Sequence, residues 1–126
     1  MKKKIGVLLM NLGTPDDPSP EKVGEYLREF LMDRHVVDIP TQIRWVLVNH
    51  LIVPRRSYAS SSAYSKIWTD RGSPLKFHSE DLATSVGERL GDKFEVRLAI
   101  RYRSPSIMSV LKCGAHKPRF SGPYFR

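Results

Sequence analysis

The stretch VLLMNLGTP, residues 7–15, joins an apolar run of strand length to a glycine-threonine-proline turn. The apolar run extends from Ile5 to Met10 and lacks the alternation of a half-exposed strand, which predicts a parallel strand buried on both faces. In open α/β sheets, the turn that leads from such a strand toward a helix lies beside the ligand cleft. We therefore predict an α/β fold with a cleft at this turn.

Two helices are predicted after this turn. Ser19 can cap the first helix, and Pro20 suits its first position. Apolar residues at helical spacing mark one face of this helix: Val23, Tyr26, Leu27, Phe30 and Leu31. Thr41 can cap a second helix that runs to about Val53, where the following Pro54 is expected to stop it.

The apolar residues of the second helix spread over more than one face. They are Ile43, Trp45, Val46, Leu47, Leu51 and Ile52. We expect this helix to be buried, because soluble domains rarely expose large apolar patches. The alternative is an exposed lip that contacts a membrane surface or an apolar substrate.

Two further helices and a second strand complete the predicted pattern. Residues 57–68 are predicted to be helical, with a serine-rich flexible link as the alternative. Ser73 and Pro74 open a long helix that Gly91 ends, and residues 94–100 alternate as a strand that leads into Arg101 and Tyr102. The order strand, helices, strand predicts a right-handed crossover and a parallel sheet.

Composition and charge narrow the class of protein. The chain has 126 residues, of which 40% are apolar and 27% charged, as in an ordinary soluble globular protein with one core. The single cysteine, Cys113, cannot form an internal disulfide, so we expect a cytoplasmic protein with no ligand set for an iron-sulfur cluster or structural zinc. No apolar run approaches the roughly 20 residues that span a bilayer.

The formal net charge of +8 is concentrated near the end of the chain. Residues 1–95 carry fourteen basic and thirteen acidic residues, whereas residues 96–126 carry seven basic residues and no acidic one. We therefore predict no nucleic-acid partner, because the body lacks a basic face. The alternative is a nucleic-acid binder that uses the aromatic and basic residues of the tail.

The last fourteen residues, 113–126, show neither helical nor strand periodicity. We hypothesise that they are not native to the fold and arise from a shifted reading frame, which makes this tail disordered. An ordinary flexible basic tail is the alternative.

Several short motifs occur in an order that is specific in combination. They are MNLGTP at 10–15, YLREFL at 26–31, Arg55-Arg56, Tyr64, Ile67-Trp68, GSPL at 72–75, Arg101-Tyr102 and PSI at 105–107. On these residues, positions 4–112 resemble the amino-terminal part of ferrochelatase, the lyase that inserts ferrous iron into protoporphyrin IX or coproporphyrin III in haem biosynthesis. The resemblance implies the opening half of a chelatase-like three-layer α/β/α domain with a parallel sheet.

The resemblance also implies a set of porphyrin contacts. The substrate-binding residues that it indicates are Leu12, Gly13, Arg56, Tyr64, Ser73, Arg101 and Tyr102. Leu12 would pack against the macrocycle, Gly13 would let backbone approach it, and Arg56 would bind a propionate. Five of the seven have a structural alternative: Arg56 and Arg101 as surface charges, Tyr64 and Tyr102 as core residues, and Ser73 as a helix cap.

We expect no catalytic residue and no metal ligand in this chain. The ferrochelatase family takes its catalytic histidine and glutamate from its second half, and none of His35, His50, His78 and His116 matches that histidine. The isolated chain is therefore expected to be inactive, to need no cofactor, and to associate with a missing carboxyl-terminal half or with itself. A non-catalytic porphyrin- or haem-binding module is the alternative function.

Overall fold

The computed structural model describes residues 4–112 and the backbone of residues 119–120. The described elements, in chain order, are β1 (Ile5–Gly13), α1 (Pro20–Met32), α2 (Thr41–Val46), a π-helical segment (Leu47–Ile52), α3 (Val53–Ile67), α4 (Pro74–Leu90), β2 (Phe94–Tyr102), α5 (Ile107–Lys112) and β3 (Arg119–Phe120). They form two compact units. The sheet unit comprises the chain up to Gly13 and from Leu75 onward, and the helical unit comprises residues 14–74.

The sheet unit is built on the parallel pairing of β1 with β2. The register runs from Ile5 opposite Phe94 to Gly13 opposite Tyr102, and β3 pairs in parallel with the other edge of β1. The α/β fold with parallel strands is thus confirmed. The predicted end of the first strand at Met10 is wrong, because pairing with β2 continues for three more residues and places Leu12 and Gly13 inside the strand.

The helix α4 begins and ends where the sequence predicts. It starts at Pro74, and Gly91 follows its last residue with a positive φ of 78°, a conformation that favours glycine. The strand β2 is tied to α5, because Arg97 donates a hydrogen bond of 3.3 Å to the carbonyl of Val110.

The helical unit packs α1 against α3 around two fully buried valines, Val23 and Val48. Ser19 caps α1 as predicted, since its hydroxyl accepts a hydrogen bond of 3.3 Å from the amide of Lys22. The helices approach closely at Gly24, where an added Cβ would lie 3.0 Å from the hydroxyl oxygen of Ser57.

Pro54 does not stop the second helix, and that prediction is wrong. Helical structure continues from Thr41 to Ile67 through the π-helical segment that precedes the proline. Within it the amide of Val53 bonds to the carbonyl of Val48, five residues back. The wider turn changes the hydrogen-bond spacing from four residues to five directly before Pro54, which has no N–H to donate. The helix therefore continues through the proline without breaking.

The start and the burial of the second helix also differ from prediction. Its cap is Pro40, and Thr41 is its first helical residue, with no side-chain capping bond. The predicted burial is wrong, because the exposed fractions of Ile43, Trp45 and Val46 are 59%, 51% and 54%. The polar Arg44 is buried in their place, because the protein offers it carbonyl acceptors that apolar side chains do not need.

Residues 57–67 are helical as predicted, within α3, whereas Trp68 caps the helix in an extended conformation and is not part of it. The flexible-link alternative is not observed. Within the described part of the chain, no helix combines the length and apolar content needed to cross a membrane. The frameshift hypothesis for residues 113–126 lies outside the described residues apart from the two that form β3, and it stays a hypothesis.

Candidate functional site

The carboxyl ends of β1 and β2 bring four of the predicted site residues together in the sheet unit. These four, which we call the strand-end group, are Leu12, Gly13, Arg101 and Tyr102. Parallel strands in register end at the same edge of a sheet, and open α/β sheets bind ligands at that edge. Leu12 is 46% exposed there, so its apolar side chain is available to a ligand.

Gly13 is required by the contact between the two strands. Its φ is 142°, and an added Cβ would lie 2.5 Å from the carbonyl oxygen and 3.0 Å from the Cβ of Tyr102. Both residues are buried. The close approach observed at Gly13 is to the backbone of Tyr102. The approach to the macrocycle that the resemblance implies for Gly13 stays a prediction.

Arg101 and Tyr102 interact although they are neighbours in one strand. The Nε of Arg101 donates a hydrogen bond of 3.1 Å to the hydroxyl of Tyr102, and its guanidinium carbon lies 5.6 Å from the centre of that ring. The tyrosine is buried and the arginine exposed. The pair thus holds a positive charge at the strand end, where it can bind a carboxylate.

Asn11 and Ser79 support the strand-end group and are not among the predicted site residues. The side-chain amide of Asn11 donates to the hydroxyl of Ser79 at 3.0 Å, and its carbonyl oxygen accepts from the amide of Leu12 at 2.8 Å. Ser79 in turn donates to the carbonyl of Leu75 in α4. This link fixes the backbone at Leu12, and no spacing in the sequence reveals it, because its partners are separated by 68 residues.

Arg56 lies on an exposed surface in the first turn of α3. It makes no hydrogen bond or ion pair with any described residue. An exposed guanidinium with its donors unused can bind a carboxylate in a forked geometry.

Tyr64 lies half-buried near the end of α3, where its ring packs edge-on against Trp68 with 6.4 Å between ring centres. Burial raises the pKa of Tyr64, while a hydrogen bond with Tyr26 acts in the opposite direction. The residue is therefore an uncharged ring with a polar edge at neutral pH.

Ser73 is buried, and its hydroxyl accepts a hydrogen bond of 2.6 Å from the hydroxyl of Thr14. The bond ties the two ends of the helical unit's chain segment together. Ser73 is thus held as part of a buried polar pair.

In the described part of the chain, no group of three or more His, Cys, Asp or Glu residues is placed to hold a metal ion. His35, His50 and His78 are exposed, and His50 packs edge-on against Trp45 with 5.2 Å between ring centres. His116 lies outside the described residues.

The fold and the strand-end group place the chain in the class of α/β proteins whose parallel strands end at one sheet edge, the edge at which open α/β sheets bind ligands. The family profile described as ferrochelatase matches residues 4–117. The chain belongs to the ferrochelatase family.

Curated relatives agree with this assignment. The ferrochelatase of Coxiella burnetii, strain RSA 493 / Nine Mile phase I, is 53% identical over 109 residues, which are 86% of this chain and 31% of the relative. The ferrochelatase of Pseudoalteromonas atlantica is 52% identical over 111 residues, covering 85% of this chain and 31% of the relative. That of Legionella pneumophila, strain Paris, is 49% identical over 106 residues, covering 84% and 32%. The chain thus spans about a third of the length of these relatives.

We predict that Gly13→Ala lowers the free energy of unfolding by at least about 3 kcal/mol, because backbone strain adds to a clash with a carbonyl that cannot rotate away. The control is Gly91→Ala, which also has a positive φ but has no atom within 4 Å of its added Cβ. It should cost only about 1–2 kcal/mol. Urea denaturation of both variants measures the difference, and equal losses would show that contact with Tyr102 is unimportant.

Proposed function

We propose that this chain provides the amino-terminal, porphyrin-contacting part of a ferrochelatase, a lyase that inserts ferrous iron into protoporphyrin IX or coproporphyrin III in haem biosynthesis. The observation that carries the proposal is the match of residues 4–117 to the family, together with about 50% identity to curated ferrochelatases. Iron and porphyrin are substrates in this reaction, and we propose no resident cofactor.

The proposed porphyrin contacts follow the chemistry of the exposed groups. Leu12 offers an apolar surface to the face of the macrocycle, and Arg56 offers unused donors to a propionate. Arg101, held by Tyr102, offers a second positive charge at the strand end. We assign Tyr64 and Ser73 supporting roles, because their polar atoms already have partners within the protein.

Iron insertion requires removal of the pyrrole protons, and this needs a base near the pyrrole nitrogens. In the ferrochelatase family, as the resemblance implies, a histidine and a glutamate from the second half of the enzyme act there. We therefore propose that the residues of this chain bind and orient the porphyrin, and that the chain is inactive by itself.

We predict that the 126-residue chain forms no haem from protoporphyrin and ferrous iron above the uncatalysed rate. A chimera in which residues 4–112 replace the matching segment of the Coxiella burnetii ferrochelatase should be active. The measurement is the appearance of the haem absorption spectrum under anaerobic conditions. A folded but inactive chimera would contradict the proposed enzymatic role and favour a binding module, and activity of the chain alone would contradict the need for the second half.

We predict that Arg56→Ala weakens porphyrin binding by the chimera by about fivefold, because one charge-assisted contact with a propionate is lost. Arg89→Ala, which removes an exposed arginine in the last turn of α4, is the control and should bind as the unmodified chimera does. Quenching of porphyrin fluorescence measures both. Equal affinities of the two variants would remove Arg56 from the site.

We further propose a cytoplasmic protein that makes peripheral contact with a membrane through Ile43, Trp45 and Val46. These three side chains are more than half exposed within one helical turn and a half, and Trp suits the boundary between lipid and water. A poorly soluble porphyrin partitions into the bilayer, so contact with the membrane would bring the protein close to its substrate.

We predict that Trp45→Ser reduces binding to vesicles of phosphatidylcholine and phosphatidylglycerol about tenfold, because a large exposed apolar side chain is removed. Leu82→Ser is the matched control, since Leu82 is 56% exposed on α4, outside the proposed contact. Co-sedimentation of the full chain with vesicles measures both. A loss that is the same for both variants would indicate non-specific hydrophobic adsorption.

A further inference from the structure

Arg44 is a buried positive charge without a negative partner among the described residues. It is only 6% exposed, and its guanidinium donates to the carbonyl oxygens of Val37 at 3.1 Å and Ile39 at 3.3 Å. It also donates to the hydroxyl of Thr41 at 3.3 Å. All three acceptors are neutral, so the charge of this arginine is solvated by the protein but not neutralised.

The hydrogen bonds of Arg44 leave donors unused. A guanidinium has five N–H donors, and three bonds to described residues are formed. The Nε atom is buried and has no acceptor in the described part of the chain. Because buried donors are nearly always satisfied, an arginine in this state indicates a missing acceptor, and an anion would supply both the acceptor and the countercharge.

Arg44 lines an open cavity of about 390 Å³ in the helical unit. The other lining residues are Arg34, Asp38, Ile39, Pro40 and Thr41. Arg34 is exposed and makes no hydrogen bond or ion pair with the described residues. The cavity therefore carries two arginines and one carboxylate, a net charge of +1, and its size suits a small organic ligand.

We infer that this cavity binds a phosphate ester. A tetrahedral phosphate has enough acceptor oxygens for Arg34, for the unused donors of Arg44, and for the hydroxyl hydrogen of Thr41. Asp38 disfavours a bare phosphate dianion, but its carboxylate accepts a hydrogen bond from a hydroxyl or ammonium group attached to the phosphate. The lining thus favours an ester that carries such a group.

Two sources supply this chemistry, a soluble phosphate ester and the headgroup of a phospholipid. The second source is compatible with the exposed Ile43 and Trp45, which flank Arg44 in the same helix. The phosphate site does not rest on the proposed porphyrin chemistry. Glycerol 3-phosphate is a soluble probe with hydroxyl groups, and phosphatidylglycerol vesicles present the same group in a membrane.

The test uses the full chain and compares Arg34→Gln with the matched control Arg28→Gln, which removes an exposed arginine of α1 outside the cavity lining. Calorimetry with glycerol 3-phosphate should show affinity at least about fivefold weaker for Arg34→Gln, and unchanged for Arg28→Gln. Substitution of Arg44 itself could unfold the loop to which it is hydrogen-bonded. The part that Arg44 takes in binding is therefore measured by the chemical shift of its Nε–H signal in ¹H–¹⁵N spectra. That resonance should shift when glycerol 3-phosphate is added to the unmodified chain.

The vesicle experiment separates the two sources. A fivefold loss of vesicle binding for Arg34→Gln, together with displacement of the unmodified chain from phosphatidylglycerol vesicles by glycerol 3-phosphate, assigns the site to a lipid headgroup. A loss with the soluble probe alone assigns the site to a free ester. Both results support the phosphate site. Equal behaviour of Arg34→Gln and Arg28→Gln with both probes, or no shift of the Arg44 resonance, overturns it. Trp45→Ser should still bind glycerol 3-phosphate, so a failure of the proposed membrane contact is recognised separately.

Discussion

The parallel pairing of β1 with β2 up to Gly13 and Tyr102 is the constraint on which the candidate site depends. At this last pair the strands approach so closely that a Cβ on Gly13 would lie 2.5 Å from a backbone oxygen. Only glycine fits there, and its absence of a side chain lets both strands reach the same edge. Leu12 and Arg101 are exposed at that edge because their neighbours Gly13 and Tyr102 are buried.

The helical unit shows how local chemistry can reverse an expected pattern. Its longest helical stretch passes Pro54 by widening one turn, and at its start it buries Arg44 while it exposes Ile43 and Trp45. The cost of burying the charge of Arg44 is offset by hydrogen bonds to carbonyl groups of the preceding loop. The loop must fold back onto the helix to place these carbonyls. Arg44 therefore orders that loop and, in doing so, sets its apolar neighbours outward.

Much of the fold could be predicted because the relevant signals are local. Ser19 and Pro20 start α1, Gly91 ends α4, and the apolar run after Ile5 forms a parallel strand, each by the short-range preferences of the residues themselves. The Pro54 prediction failed since a π-helical turn depends on packing beyond the proline's own neighbours. The burial prediction failed because hydropathy does not report which side chains find buried acceptors.

The sequence by itself determined the family, through an ordered set of short motifs, and most of the elements, through the cap at Ser19, the helix end at Gly91 and apolar periodicity. Through the resemblance it also indicated Leu12, Gly13, Arg101 and Tyr102 as porphyrin contacts, and the parallel pairing of β1 with β2 brings these four residues to one sheet edge. Only the tertiary structure decided that Asn11 is held by Ser79, that Ser73 is paired with Thr14, and that Arg44 is buried beside a cavity. These contacts depend on the path of the chain in space and on which buried groups find hydrogen-bond partners. No local sequence pattern encodes either of these.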